Sequence, residues 1–276
     1  MYNTLVCVFA GLFLFSAAML IWYWMDSKAQ NEEFDDLAAL VQQARPTAPQ
    51  PGQSGSPDTP DQPQDPWITI NDPETGDPVR VLPELAQLYT MNNDLAGWIR
   101  IPGTNIDYPM MQTPDRTDYY LRRNFNKKKA TAGCIYAKEE CDLALSDNVT
   151  IYGHYMRNGS MFAGLGGFKK QAFWEQNKYI QLDTLTSRRT YEIFAVFVTS
   201  ASRGKGFTYH TFINATDQTH YDEFIAGCRK IALYDTGITP QYGEKLITLS
   251  TCDKDLANGR LVVVARLVSE NGHAVS

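Results

Sequence analysis

The sequence predicts a mainly β fold, a barrel or sandwich, carried behind a single apolar N-terminal helix. Three observations lead there. Eight short β-like segments, separated by turn residues, fill most of the chain beyond residue 95. Residues 5–24 form an apolar run of 20 residues without a charge. Between the two lies Arg45 to Pro66, which holds seven of the chain's 14 prolines.

Taken in order, the run from Leu5 to Trp24 makes a helix about 30 Å long, enough to cross a bilayer core. Trp22, Tyr23 and Trp24 stand where interfacial aromatics belong. The run is long for a cleaved signal peptide, has no Lys or Arg before it, and no A-x-A-like site follows. An uncleaved anchor over residues 1–25 is therefore expected. Ser27 to Ala44 reads as a separate short polar helix with Phe34, Leu37, Leu40 and Val41 at helical spacing. The proline-rich stretch cannot bury a core and reads as an extended linker, placing residues 26–66 between anchor and domain. In polyproline form it would reach on the order of 70 Å. The folded domain is expected over residues 67–276.

Within that domain, Pro83 to Asp94 has a proline in its first turn and Leu85, Leu88 and Tyr89 on one face, the pattern of a helix. The strand candidates are Gly97–Ile101, Asp107–Gln112, Gly133–Tyr136, Asn148–Tyr152, Tyr179–Leu182, Thr190–Thr199, Leu246–Thr251 and Leu261–Leu267. Two helical insertions interrupt them, Met161 to Gln176 and Thr219 to Leu233.

Composition narrows the function. A net charge of -6 argues against general nucleic-acid binding, which needs a concentrated basic surface. The one basic run, Lys127-Lys128-Lys129, reads as a solvated loop. Five irregularly spaced cysteines describe no disulfide framework, and a Cys134–Cys141 bridge stays an open question. No zinc-ligand spacing, acidic calcium loop or cofactor motif appears, so neither metal nor cofactor is expected.

Chemistry concentrates in KLITLSTCDKDLANGRLVVVARL, residues 245–267. Two strand-like segments flank Asn258-Gly259, a turn-forming pair, so an antiparallel hairpin brings Cys252 and Arg260 to the same rim. A neighbouring guanidinium favours the thiolate and offers a fixed fork of donors to a developing oxyanion. Asp253 reads as an exposed loop carboxylate. Cys252 closes a strand rather than sitting mid-strand, which favours a nucleophile over a buried structural thiol. A nucleophilic thiol needs a proton shuttle. Among four histidines, His154 directly follows the strand NVTIYG and is bracketed by Gly153 and Gly159. By spacing alone it is equally an ordinary loop histidine.

These residues resemble the sortase signature: TLSTC ending at Cys252, Arg260 opening the next strand, and YGH ending at His154. The resemblance extends through LYTMNNDLAGWIRIPGTNIDYPMMQ, DYYLRRNF, TIYGHYMRNGSMFAGL and ALYDTGI, about 180 residues. The helix before GWIRIPGTNIDYP and the helical insertion ahead of TLSTC resemble class B sortases in particular. The resemblance implies an eight-stranded β-barrel and a Gram-positive cell-membrane enzyme, single-pass, with its domain outside. It implies that Cys252 attacks a C-terminal sorting signal of a secreted protein to form a thioester. His154 then protonates the leaving amine and Arg260 holds the oxyanion. An amine of a peptidoglycan cross-bridge or precursor resolves the thioester. Leu121, Ser250 and Thr251 match positions expected to line the signal groove. A pilin-polymerising sortase, a purely hydrolytic cysteine peptidase and a non-catalytic tethered barrel are the competing readings. Papain-like peptidases place cysteine before histidine, the reverse of the order here.

Overall fold

The computed structural model of the chain describes residues 2–45, 66–202 and 204–275. Helix α1 (Tyr2–Ala44) is followed by the hairpin β1 (Ile68–Asn71) and β2 (Pro78–Val81), then α2 (Pro83–Met91). Strands β3 (Leu95–Arg100), β4 (Asp107–Met111), β5 (Ile135–Ala137) and β6 (Asn148–Tyr152) come next. A 3-10 turn (Phe162–Lys169) and α3 (Gln171–Gln176) lead to β7 (Tyr179–Thr184) and β8 (Arg188–Ser200). Helix α4 (Gln218–Lys230), β9 (Leu246–Asp253), β10 (Gly259–Glu270) and the two-residue β11 (His273–Ala274) complete the order.

Strands β3 to β10 form a closed eight-stranded barrel. The sheet runs β10-β8-β7-β3-β4-β5-β6-β9, and β9 pairs back onto β10. All eight expected strands are present, shifted at their ends by a few residues; β1, β2 and β11 lie outside the barrel and were not expected. Most pairs are antiparallel neighbours, but β4–β5 and β6–β9 are parallel. Closure removes the open edges that an eight-stranded sheet would otherwise expose. Trp98, Ile99, Met110, Ile135, Ile151, Ile180, Ile193, Ile247 and Val263 belong to one buried apolar cluster built on the barrel strands.

A second apolar layer lies outside β8 and β10. The 45-residue connection from β8 to β9 folds α4 across Phe194, Phe197, Val262 and Val264, using Tyr221, Phe224, Ile225 and Cys228. Phe212 stacks on Phe224 with centroids 4.1 Å apart. The expected first insertion is instead a 3-10 turn followed by a six-residue helix. Its glycines at 164, 166 and 167 weaken a regular helix, and a side chain at Gly167 would meet the Phe173 ring.

Helix α1 departs most from expectation. It runs unbroken for 43 residues, so the apolar run and the polar helix are a single rod. It is long and apolar enough, by length and composition, to cross a membrane. Its second half packs on the barrel. Phe34, Leu37 and Val41 are buried in the barrel's own core cluster, with the Phe34 ring edge-on to Tyr108. Spacing of i, i+3 and i+7 gives one stripe, and the barrel covers it. Arg45 then pairs with Asp183 on β7. The proline-rich linker lies outside the described residues over 46–65. Both of its flanks, Arg45 and Trp67 beneath Arg80, lie against the folded domain. The helix, rather than the linker, therefore carries the connection between apolar run and barrel.

Burial pushes the Asp183 carboxyl up to about 6, outweighing the nearby cations Arg45, Arg188 and Arg100. A carboxyl raised in the folded state binds its proton more readily there than in the unfolded chain. Its stabilising effect is complete below about pH 4 and is lost as pH rises through about 6. Asp183→Asn is expected to flatten that limb of a stability-versus-pH curve, by on the order of 2–3 kcal/mol. Denaturant unfolding from pH 4 to 8 measures it.

Candidate active site

The barrel's register brings three chain-distant residues level. Strand β9 pairs with β10 so that Cys252 stands directly opposite Arg260. On the other side β9 runs parallel to β6, with Tyr152 opposite Ser250. Gly153 extends the pairing, its N–H donating to the Ser250 carbonyl at 3.2 Å. Two residues past Tyr152, His154 comes level with Cys252. Histidine, cysteine and arginine thus leave three adjacent strands at one height.

They open on a shared cleft of about 320 Å³. Leu121, Ser250 and Thr251 line it too, along with Tyr136, Tyr152, Lys138 and Glu139. All six residues singled out from the sequence therefore meet on one surface. Cys252 is exposed, whereas Cys134, Cys141 and Cys228 are buried free thiols. Cys134 and Cys141 form no disulfide. Burial pushes all three of those thiols up, away from the reactive thiolate.

The His154 Nε2–H donates to the Leu121 carbonyl at 2.8 Å. In the neutral ring this leaves the lone pair on Nδ1. Gly153, just before it, is required by packing. A Cβ there would run into Ile135 and, at 2.7 Å, into the Phe162 ring. Gly153→Ala is expected to cost about 1–3 kcal/mol and to displace His154. Thermal melts together with turnover measurements would check it.

Asp253 corrects the sequence reading. It is buried, not exposed, and pairs with Lys169, which also reaches Asp255 at 2.8 Å. Strand alternation explains this: Cys252 faces out, so Asp253 faces in. The Lys169 ammonium thereby offsets the carboxylate charge next to the thiol.

Several contacts around the cleft were not read from the sequence. The Tyr209 hydroxyl hydrogen-bonds the Ser250 hydroxyl at 2.6 Å. Lys138 Nζ donates to the His210 carbonyl at 3.1 Å. The His210 imidazole is held below its usual range by burial and by the Lys138 and Arg260 cations. The β8–β9 connection thus touches two residues that line the cleft, Ser250 and Lys138. Its aromatic content, GFTYHTF at 206–212, is the only sequence signal that points to it. The floor is braced by Tyr136, whose hydroxyl donates to Asp118 at 2.7 Å and whose ring lies 5.5 Å from that of Tyr152.

Comparison with known proteins accounts for this arrangement. A family model described as the sortase domain matches residues 99–268. Sortase B of Listeria monocytogenes is 33% identical over 190 residues, 68% of this chain and 75% of the relative. The chain belongs to the sortase family. Sortase B of Staphylococcus aureus is 27% identical over 68% of this chain and 76% of its own. Among solved structures, Clostridium perfringens sortase B is 34% identical with a TM-score of 0.59, covering 67% of this chain and 99% of that one. Bacillus anthracis sortase B superposes with a TM-score of 0.67 at 26% identity, over 88% of this chain and 98% of that one. These relatives and structures are all sortase B, and the chain is a cysteine transpeptidase. In this sortase the family's barrel carries the cleft on the outer wall formed by β5, β6, β9 and β10.

Proposed function

We propose that this sortase is anchored in the cell membrane by α1 with its barrel outside the cell. There it cleaves a C-terminal sorting signal through a thioester on Cys252 and joins the protein to an amine of the cell wall. One observation carries the reading: an exposed thiol faces Arg260 across a strand pair, with His154 level on the other side.

The chemistry follows from those positions. Cys252 passes its thiol proton to His154 Nδ1 and the resulting thiolate attacks the signal's carbonyl carbon, whose oxygen takes up charge that the Arg260 guanidinium stabilises. As the C–N bond breaks, His154 gives its proton to the leaving amine and a thioester remains. The incoming amine loses a proton to His154, attacks the same carbon and expels the Cys252 thiolate. A new amide forms and the enzyme is regenerated. Thr251 and Leu121 are among the residues that line the cleft, and Ser250 is held in place by Tyr209. Leu121 offers apolar contact to an extended signal.

Incubating the full-length chain with a signal-peptide library and trapping the acyl-enzyme by mass spectrometry tests the proposal. An adduct at Cys252 that added amine converts to a new amide is the expected result. Adducts that yield only hydrolysed peptide at every amine concentration would support the hydrolytic reading. No adduct with any peptide would sink the mechanism.

A further inference from the structure

The basic run left unassigned by the sequence folds into a definite place. Arg123 bridges Lys129 in an antiparallel pair, with Lys127 in a left-handed conformation (φ 61) between them. The Asn124 side chain accepts from the Lys128 N–H at 2.9 Å and closes the turn. The hairpin is clamped to α1. Glu33 accepts from Asn124 at 2.8 Å and Asn126 at 2.7 Å, and Gln30 accepts from the Ala132 N–H at 3.2 Å.

Between hairpin and helix lies a cavity of about 470 Å³, lined by Asp26, Arg122, Arg123, Lys129, Ala130 and Thr131. Its charge balance is cationic. Lys127 is committed to Asp94 at 3.3 Å and Glu74 at 3.8 Å. Among the described residues, no carboxylate forms an ion pair with Arg122, Arg123, Lys128 or Lys129. Asp26 is the one acidic lining residue, and it accepts from Gln30 at 3.1 Å. Arg123 is preset: its guanidinium stacks on the Tyr119 ring at 4.2 Å and donates to the Tyr119 carbonyl at 3.2 Å. Arg157, exposed on the neighbouring loop, adds a further cation. The adjacent Asn158 donates to Ser27 of α1 at 2.7 Å.

Depth is the second observation. Asp26 follows the apolar run by two residues, about 3 Å along the helix, and Glu33 by about 14 Å. The polar layer on each side of a bilayer core is on the order of 5–8 Å thick. The cavity therefore begins at headgroup level wherever residues 5–24 span the core. Two guanidinium forks and an ammonium at that depth match a phosphate anion in charge and geometry.

We propose that this cavity binds the phosphodiester headgroup of an anionic membrane lipid in the leaflet from which α1 emerges. The inference rests on the anchor reading above. It gives the basic hairpin a role in seating the barrel on the bilayer. Arg122 directly follows Leu121, whose carbonyl holds the His154 ring, so the lipid site and the cleft share one turn (Tyr119–Arg122).

The test uses the full-length chain in nanodiscs of zwitterionic lipid, titrated with short-chain phosphatidylglycerol or with inorganic phosphate. Amide exchange over residues 122–131 is the readout. Saturable protection with phosphatidylglycerol is expected. Arg122→Gln, Arg123→Gln and Lys129→Gln together should weaken it about a hundredfold, roughly fivefold for each cation lost near the surface. Protection by inorganic phosphate but not by the lipid would assign the cavity to a soluble anion and overturn the proposal. So would equal protection in wild type and triple variant. If the chain fails to co-float with vesicles of any composition, the anchor reading falls and takes this inference with it. A chain that floats yet shows no protection overturns the inference alone.

Discussion

Cys252→Ala is expected to abolish acyl-enzyme formation and to lower amide transfer by on the order of 10⁴-fold or more, the scale on which covalent enzymes lose activity without their nucleophile. Cys134, Cys141 and Cys228 cannot substitute, because they are buried. The fold should tolerate the change, because the Cys252 side chain is exposed and its removal leaves no core cavity. Unfolding midpoints within about 0.5 kcal/mol of wild type would show this. Mass spectrometry of the variant with a peptide that acylates the wild type gives the direct measurement. Transfer within tenfold of wild type would remove Cys252 from the chemistry.

Arg260→Ala should carry the next largest effect, about 10²–10³ in kcat, the usual loss when an oxyanion donor is deleted. Arg260 faces Cys252 across the β9–β10 pair, and its Nη1 donates to the Gly259 carbonyl at 3.0 Å. That bond pins one arm of the fork and leaves the rest directed by the strand. Lysine at 260 should restore only part of the rate, since an ammonium keeps the charge but not the planar fork. Single-turnover acylation separates the two effects. If Arg260 only bound the signal, KM would rise with kcat unchanged.

Much of the barrel could be read in advance because its strands are marked locally. Alternation, β-branched residues and turn pairs set all eight to within a few residues. The Cys252–Arg260 pair was equally legible, since Asn258-Gly259 joins two strands that are neighbours in sequence. His154 was not legible by spacing. It reaches the cleft through the parallel β6–β9 pairing, which joins segments nearly 100 residues apart and has no local signature. The contacts of Tyr209 and His210 with Ser250 and Lys138 escaped for the same reason: they belong to a connection whose path is set by α4 docking on β8 and β10.

Asp253 and α1 show the other kind of gap. A charged residue beside a loop reads as exposed until strand alternation and Lys169 turn it inward. Residues 27–44 read as a separate polar helix until Phe34, Leu37 and Val41 are seen packed on the barrel as part of one long helix.

The sequence by itself determined the eight strands of the barrel, the apolar helix, the hairpin bearing Cys252 and Arg260, and the chemical types available for catalysis. These depend on interactions over a few residues, where propensity and periodicity act directly. Only the tertiary structure decided that His154 stands level with Cys252, that Asp253 is buried against Lys169, and that the basic hairpin meets α1 just past its apolar run. Each of those depends on barrel closure or long-range docking. Such contacts are selected by the burial of many side chains at once, which no short window of residues encodes.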